Sequence, residues 1–199
     1  NPNAVYLLAG PGYVSSGMNL FNGLFYSGDS GASFIMRSNG CANNGDLFNS
    51  ARNISWYANT LLVDPIDENT VMVGGLNLFR STDGGVNLAQ VTSTAIHADQ
   101  HNLKRNPVNG DLWLCNDGGV YRSTNNGTTW NDRSGGLIIN EYYRISGTGY
   151  IDDLVLGGSQ DNGHFLIDAA GDFHSVLGGD GMDNYFNSFD NSIAYACQQ

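Results

Sequence analysis

One short motif recurs along this chain, and it restricts the folds open to it more than any other feature. Residues 26–34 read YSGDSGASF, 80–88 read RSTDGGVNL and 121–130 read YRSTNNGTTW. In register, Ser27, Ser81 and Ser123 align, followed two positions later by Asp29, Asp83 and Asn125. Gly31, Gly85 and Gly127 come two after that, and a large apolar residue (Phe34, Leu88, Trp130) closes each copy. The chemistry is that of a tight hairpin. An Asp or Asn side-chain oxygen accepts backbone N–H groups further along, Gly supplies a positive φ, and the Ser hydroxyl ties down the loop. The closing apolar residue is expected to pack each hairpin against its own sheet.

Spacing turns the motif into a fold. Asp83 to Asn125 and Leu88 to Trp130 are both 42 residues. A further 43 residues reach Asp168 and Phe173, in FLIDAAGDFHSV, a worn copy lacking the Ser and the Gly. The first interval, Asp29 to Asp83, is 54 residues, so an insertion separates the first two copies. Self-similarity at roughly 40–45 residues, with four short strands per repeat, is the signature of a β-propeller blade. Composition agrees: the chain has 27 Gly, 10 Tyr and 9 Phe but only 8 Lys plus Arg. No window sustains a helical period, whereas short alternating runs bounded by Gly, Asn and Asp recur. The expected fold is all-β, a propeller of four-stranded antiparallel blades in one array over residues 1–199. Blades are expected at 54–93, 96–134 and 140–177, with partial blades at 1–38 and 179–199. An open array of about four blades would expose apolar strand edges. The sequence is therefore read as part of a larger propeller whose remainder lies outside this chain.

The turn resembles the Asp-box, or bacterial neuraminidase repeat. Sialidases, sortilin-type receptors, oligoxyloglucan-releasing hydrolases and many secreted bacterial surface proteins carry it. In those families the box joins the third and fourth strands of a blade, away from any active site. The resemblance thus makes Ser27, Asp29, Gly31, Phe34, Ser81, Asp83, Gly85, Leu88, Ser123, Asn125, Gly127 and Trp130 scaffold residues. The longer run HADQHNLKRNP…LWLCNDGGVYRSTNNGTTW…YYRI…LVLGGSQDNG…GGDG is similar to secreted bacterial propellers of the sortilin and xyloglucanase types. That similarity covers roughly residues 60–199. It implies secretion or cell-surface display from a bacterial cell and names no substrate.

Function is expected on loops, which a rigid scaffold positions. Turns joining strands one and two, or three and four, share one face of a propeller. Turns joining strands two and three, and the crossings between blades, share the other. That second face collects GPGYVSSGMN, SNGCANNGDLFNSARN, NDGG (116–119), SQDNGH (159–164) and LGGDGMD (177–183). Asp117, Asp161, Asp180 and Asp183 are therefore the ligand-binding candidates, expected to converge near the channel mouth with His97 and Asp99 close by. In HADQH, a period of two places His97, Asp99 and His101 on one side of a strand. Such a set suits a zinc-like metal ion and equally a hydrogen-bonded polar cluster facing a channel. The Asp-Gly-Gly and Asp-Asn-Gly loops are also ordinary turn sequences. No motif demands a cofactor, although a divalent cation is compatible with these carboxylates.

A net charge of −11 leaves nothing to neutralise a run of phosphates, so nucleic acid is excluded as a partner. No apolar run is long enough to span a membrane as a helix. Three cysteines (Cys41, Cys115, Cys197) fix no disulfide framework. Cys115 and Cys197 are expected in second strands as small buried hydrophobes, whereas Cys41 lies in the insertion. Asn53-Ile-Ser and Asn126-Gly-Thr fit the glycosylation triplet. Two functions remain open. The favoured one is a module that binds a glycan, peptide or protein; the other is a glycoside hydrolase using paired carboxylates. Sialidase chemistry lacks its arginine cluster here, since Arg80 and Arg122 immediately precede the turns, where a scaffold role is simpler. Xyloglucanase-like enzymes set their two Asp residues across a cleft between propellers, so this chain would hold at most part of such a site.

Overall fold

A computed structural model describes residues 1–10, 23–38, 54–91, 96–137 and 139–199. Among these there is no helix, and hence none long and apolar enough to cross a membrane. Five antiparallel sheets form, each a meander in sequence order. The first holds β1 (Val5–Ala9), β2 (Gly23–Ser27) and β3 (Ile35–Ser38). The second holds β4 (Thr60–Val63), β5 (Val71–Gly74), β6 (Leu78–Ser81) and β7 (Ala89–Gln90). The third holds β8 (Gln100–Arg105), β9 (Leu112–Asn116), β10 (Gly119–Ser123) and β11 (Asn131–Asp132). The fourth holds β12 (Tyr142–Gly147), β13 (Val155–Ser159), β14 (Gly163–Ile167) and β15 (Phe173–Leu177). The fifth pairs β16 (Gly181–Phe186) with β17 (Ala194–Gln198). The chain divides into two units, Asn1–Gly135 with the first three sheets and Gly136–Gln199 with the last two.

The repeated turns join β2 to β3, β6 to β7 and β10 to β11, and their hydrogen bonds are the same each time. Ser81 Oγ accepts from the N–H of Asp83 (3.2 Å) and Gly85 (2.9 Å) and donates to Asp83 Oδ1 (2.7 Å). Asp83 Oδ1 in turn accepts from Asn87 N–H at 2.9 Å. Ser27 with Asp29, and Ser123 with Asn125, repeat the pattern. The worn copy keeps half of it: Asp168 accepts from the N–H groups of Ala170 and Asp172 with no serine to help. Gly127 has φ 79°, and a Cβ there would sit 2.6 Å from Met72 Cε. The positive φ favours glycine, and a side chain there would also have to displace the Met72 methyl.

Strand alternation builds the core of the first unit between sheets. On β5, Val71 and Val73 join Leu24, Phe79 and Leu88 on one side. Met72 joins Leu78, Leu103, Leu112, Leu114, Tyr121 and Trp130 on the other. β5 is buried throughout, as a strand with neighbours on both faces must be. The closing residues of the turns meet the expectation in two copies and not in the other two. Leu88 and Trp130 are buried in clusters that join their own sheet to a neighbouring one, whereas Phe34 and Phe173 are 42% and 64% exposed. The two buried residues are those over which a neighbouring sheet also closes. Asp64 ties the second sheet to the third, accepting from Arg105 Nη1 at 3.1 Å and Asn126 Nδ2 at 3.0 Å. The Asn126 amide of the second glycosylation triplet is thereby engaged. Cys115 lies on β9, half-buried, as a second-strand residue. Cys197 is exposed, contrary to expectation, because all of β17 is exposed. Cys41, Asn53 and most of the two longest loops lie outside the described residues.

Candidate ligand-binding rim

The third sheet begins later than a strand through HADQH would require. β8 starts at Gln100, and Asp99 sits before it at φ 62°, a left-handed conformation that Asp tolerates. The neighbouring sheet imposes this: Asp99 N–H donates to Leu76 O (3.0 Å) and Gln100 N–H to Gly75 O (2.7 Å). The β8–β9 ladder is also irregular between Gln100 and Asn102. Period two therefore does not apply, and His97, Asp99 and His101 do not share one side of a strand. Nor do these three bring a ligand atom each into one cluster, so the expected metal set is not assembled.

A different grouping forms instead. Two buried amides support the segment from below: Gln100 Nε2 and Asn116 Nδ2 donate to His97 O at 2.6 and 2.9 Å, and they bond to each other. Gly118, in the β9–β10 turn, lies so close to His97 that a Cβ would come within 2.4 Å of His97 Cβ. Beside it, Asp117 is hydrogen-bonded to His101 Nε2, while His101 Nδ1 lies 3.3 Å from Tyr57 O. The Tyr57 hydroxyl donates to Asp99. Asp99 and Asp117 approach each other to within 4.8 Å, carboxylate oxygen to carboxylate oxygen. Tyr57 and His101 rings lie 5.3 Å apart, and Trp56, 69% exposed, lies 4.9 Å from Tyr57. Asp99 Oδ1 is buried and has no hydrogen-bond partner.

The electrostatics follow from this crowding. Burial raises the Asp99 pKa, the hydrogen bond from Tyr57 opposes the rise, and the Asp117 charge adds to it. For His101, burial favours the neutral ring, but the bonds to Asp117 and Tyr57 and the two carboxylate charges outweigh it. The imidazole is held above its ordinary value. One carboxyl is thus eased toward protonation and one imidazole toward charge, both around the Tyr57 side chain.

The second unit places its expected residues as follows. Asp161 (φ 58°), in the β13–β14 turn, donates its N–H to Asp180 Oδ1 at 2.8 Å, so those two loops meet. Asp183 lies on β16 rather than in a loop, and pairs with Arg144 at 3.0 Å with both side chains largely exposed. In each unit, then, a turn between second and third strands touches the crossing that enters a neighbouring first strand. Trp56 and Tyr57 escape a search by motif. Their signal is positional: they precede the first strand of the second sheet as His97 and Asp99 precede that of the third.

No family model and no curated protein matches the sequence. Among solved structures, the chain is similar to a GH74 xyloglucanase from Xanthomonas campestris, at TM-score 0.51 and 16% identity. The likeness covers 98% of this chain and 33% of that one. It is also similar to a GH74 enzyme from Niastella koreensis (TM-score 0.48, 18% identity, 98% of this chain and 32% of that one). A third likeness is to YCF48 bound to D1 peptide (TM-score 0.41, 15% identity, 86% and 53%). With its five meanders and the first of these likenesses, the chain has the β-propeller fold. It spans about a third of the length of the xyloglucanase it matches.

Proposed function

We propose that the chain is part of an exported propeller that binds a glycan on the face carrying the turns between second and third strands. Trp56 supplies an exposed apolar ring with Tyr57 tilted against it, and Asp99 and Asp117 accept hydroxyl groups on the Tyr57 side. The observation that carries this reading is Asp99 Oδ1, a buried acceptor with no partner, on a carboxyl bonded by Tyr57, whose ring lies against the exposed Trp56. Such an acceptor is costly to leave unmade and is satisfied by a donor that arrives with a ligand. The strong acidity of the chain and its resemblance to secreted propellers support export. Screening the protein against a panel of neutral polysaccharides, with Trp56→Ala alongside, tests the reading. Binding that drops at least about tenfold in the variant is expected, and binding unaffected by it would sink the rim. The double variant Asp161→Asn/Asp180→Asn asks the same question of the rim on the second unit.

A second reading has its own observation. A carboxyl raised by burial beside a second carboxylate is the arrangement of a glycosidase acid and its partner. In a hydrolase, Asp99 would protonate the leaving oxygen, and Asp99→Asn would abolish product release while sparing binding. Product release unchanged in that variant excludes Asp99 as the acid.

A further inference from the structure

The residue before each turn serine differs from sheet to sheet, and so does what it meets. In the third sheet Arg122 pairs with Asp111, Nη2 to Oδ2 at 2.6 Å and Nε to Oδ2 at 2.8 Å, and lies 5.9 Å from the Trp113 ring. In the first sheet the position is Tyr26, which packs against Tyr6 and carries Arg37 over its ring at 4.5 Å. In the second sheet it is Arg80. Its cross-strand neighbours are Met72 and Ala89, neither of which offers a side-chain acceptor for a guanidinium bond. Strand register puts Thr70 where the third sheet has Asp111, since Val71 pairs with Ser81 as Leu112 pairs with Ser123. Arg80 Nε is buried without a hydrogen-bond partner, and no described carboxylate pairs with the guanidinium.

The missing partners leave a space. Arg80 lines a cleft of about 390 Å³ between the β6–β7 turn and Gly127–Thr128 of the next turn. Its walls carry hydroxyls and amides from Thr82, Asn87, Gln90 and Thr128. Asp83 also lines it as an ionised carboxylate whose two oxygens are already bonded by Ser81 and Asn87, so Arg80 is the cleft residue that keeps a buried polar atom without a partner. We infer that this cleft binds a carboxylate-bearing sugar, a uronic acid, with Arg80 holding the carboxylate and the surrounding side chains holding ring hydroxyls. A planar guanidinium takes a carboxylate through two parallel bonds. The volume lies at the lower end for ligand sites and suits one sugar ring. The site is on the opposite face of the first unit from the aromatic rim and does not depend on it.

NMR titration of the protein with sodium glucuronate, glucose and sodium sulfate tests the inference. Glucuronate is expected to bind, glucose to bind much more weakly and sulfate to fall between. Arg80→Gln should weaken glucuronate about tenfold or more, the usual worth of hydrogen bonds to a charged group. Thr70→Asp should do the same by giving Arg80 the internal partner that Arg122 already has. Glucose binding as well as glucuronate, sulfate binding as tightly as glucuronate, or full affinity in a folded Arg80→Gln protein would each overturn the assignment. Should Arg80→Gln fail to fold, Thr70→Asp and the three-ligand comparison still decide.

Discussion

Trp130→Ala is the sharpest test of how this fold holds together. Trp130 is 4% exposed and belongs to a core cluster that includes Met72 and Leu78 of the second sheet as well as residues of its own. Truncating a buried aromatic to alanine costs about 3–5 kcal/mol from lost burial and the cavity left behind. Its indole N–H also donates to Gly127 O at 3.1 Å, worth about 1 kcal/mol more. With some overlap between the two terms, a loss of about 4 kcal/mol is expected. For a urea slope of about 2–3 kcal/mol/M, the midpoint followed by far-ultraviolet circular dichroism should fall by roughly 1.5 M. Phe34→Ala is the control. Phe34 closes the first turn at the aligned position but is 42% exposed, so about 1 kcal/mol or less is expected. Equal costs for the two variants would mean that the hairpin itself, not the sheet opposite, is what these residues stabilise.

Other outcomes follow from single contacts. Ser81→Ala strands the buried Gly85 N–H and should cost about 1–3 kcal/mol by the same urea assay. Gly127→Ala should destabilise by a similar amount, and Met72→Ala in the same chain should relieve the clash with Met72 Cε but not the φ strain. Asp83 is held at about 2 by hydrogen bonds from the backbone and side chain of Asn87 and from Ser81. Its stabilisation is complete above the ordinary value of 3.8 and fades as pH falls toward 2. The urea midpoint should therefore drop through that window, and the drop should shrink in Asp83→Asn. His101 behaves oppositely: its raised pKa gives stability that is full below 6.5 and lost as pH rises through the folded value. Asp117→Asn should flatten that slope.

The turns were legible because their chemistry is local. A Ser, an Asp or Asn and a Gly at fixed offsets satisfy one another within five residues, so the spacing alone located the hairpins and, through them, the sheets. What escaped depends on neighbours far away in sequence. The start of β8 is set by bonds from Asp99 and Gln100 to Leu76 and Gly75 of another sheet, and no propensity within HADQH reports them. The exposure of Phe34 and Cys197 depends on what lies opposite their sheets. Trp56 and Tyr57 belong to no repeat, and only their position before a first strand marks them.

A repeating scaffold also carries its own controls. When three sheets place three residues at one position, the surroundings of two show what the third lacks. Arg122 has Asp111 and Trp113, so a satisfied arginine at this position is attainable within the fold, and Tyr26 packs with Tyr6 and with Arg37, whose own Nε is buried without a partner. Arg80 has Thr70, Met72 and Ala89, and a buried donor without a partner costs about 1–3 kcal/mol. One substitution, Thr70→Asp, would supply the acceptor. Asp99 likewise has a buried oxygen without a partner, on a carboxyl that Tyr57 bonds and Asp117 approaches. Sites in this protein are therefore sought where a repeat position departs from its equivalents and leaves a polar group unsatisfied. Residues that satisfy one another identically in every turn, such as Ser81 and Asp83, belong to the frame.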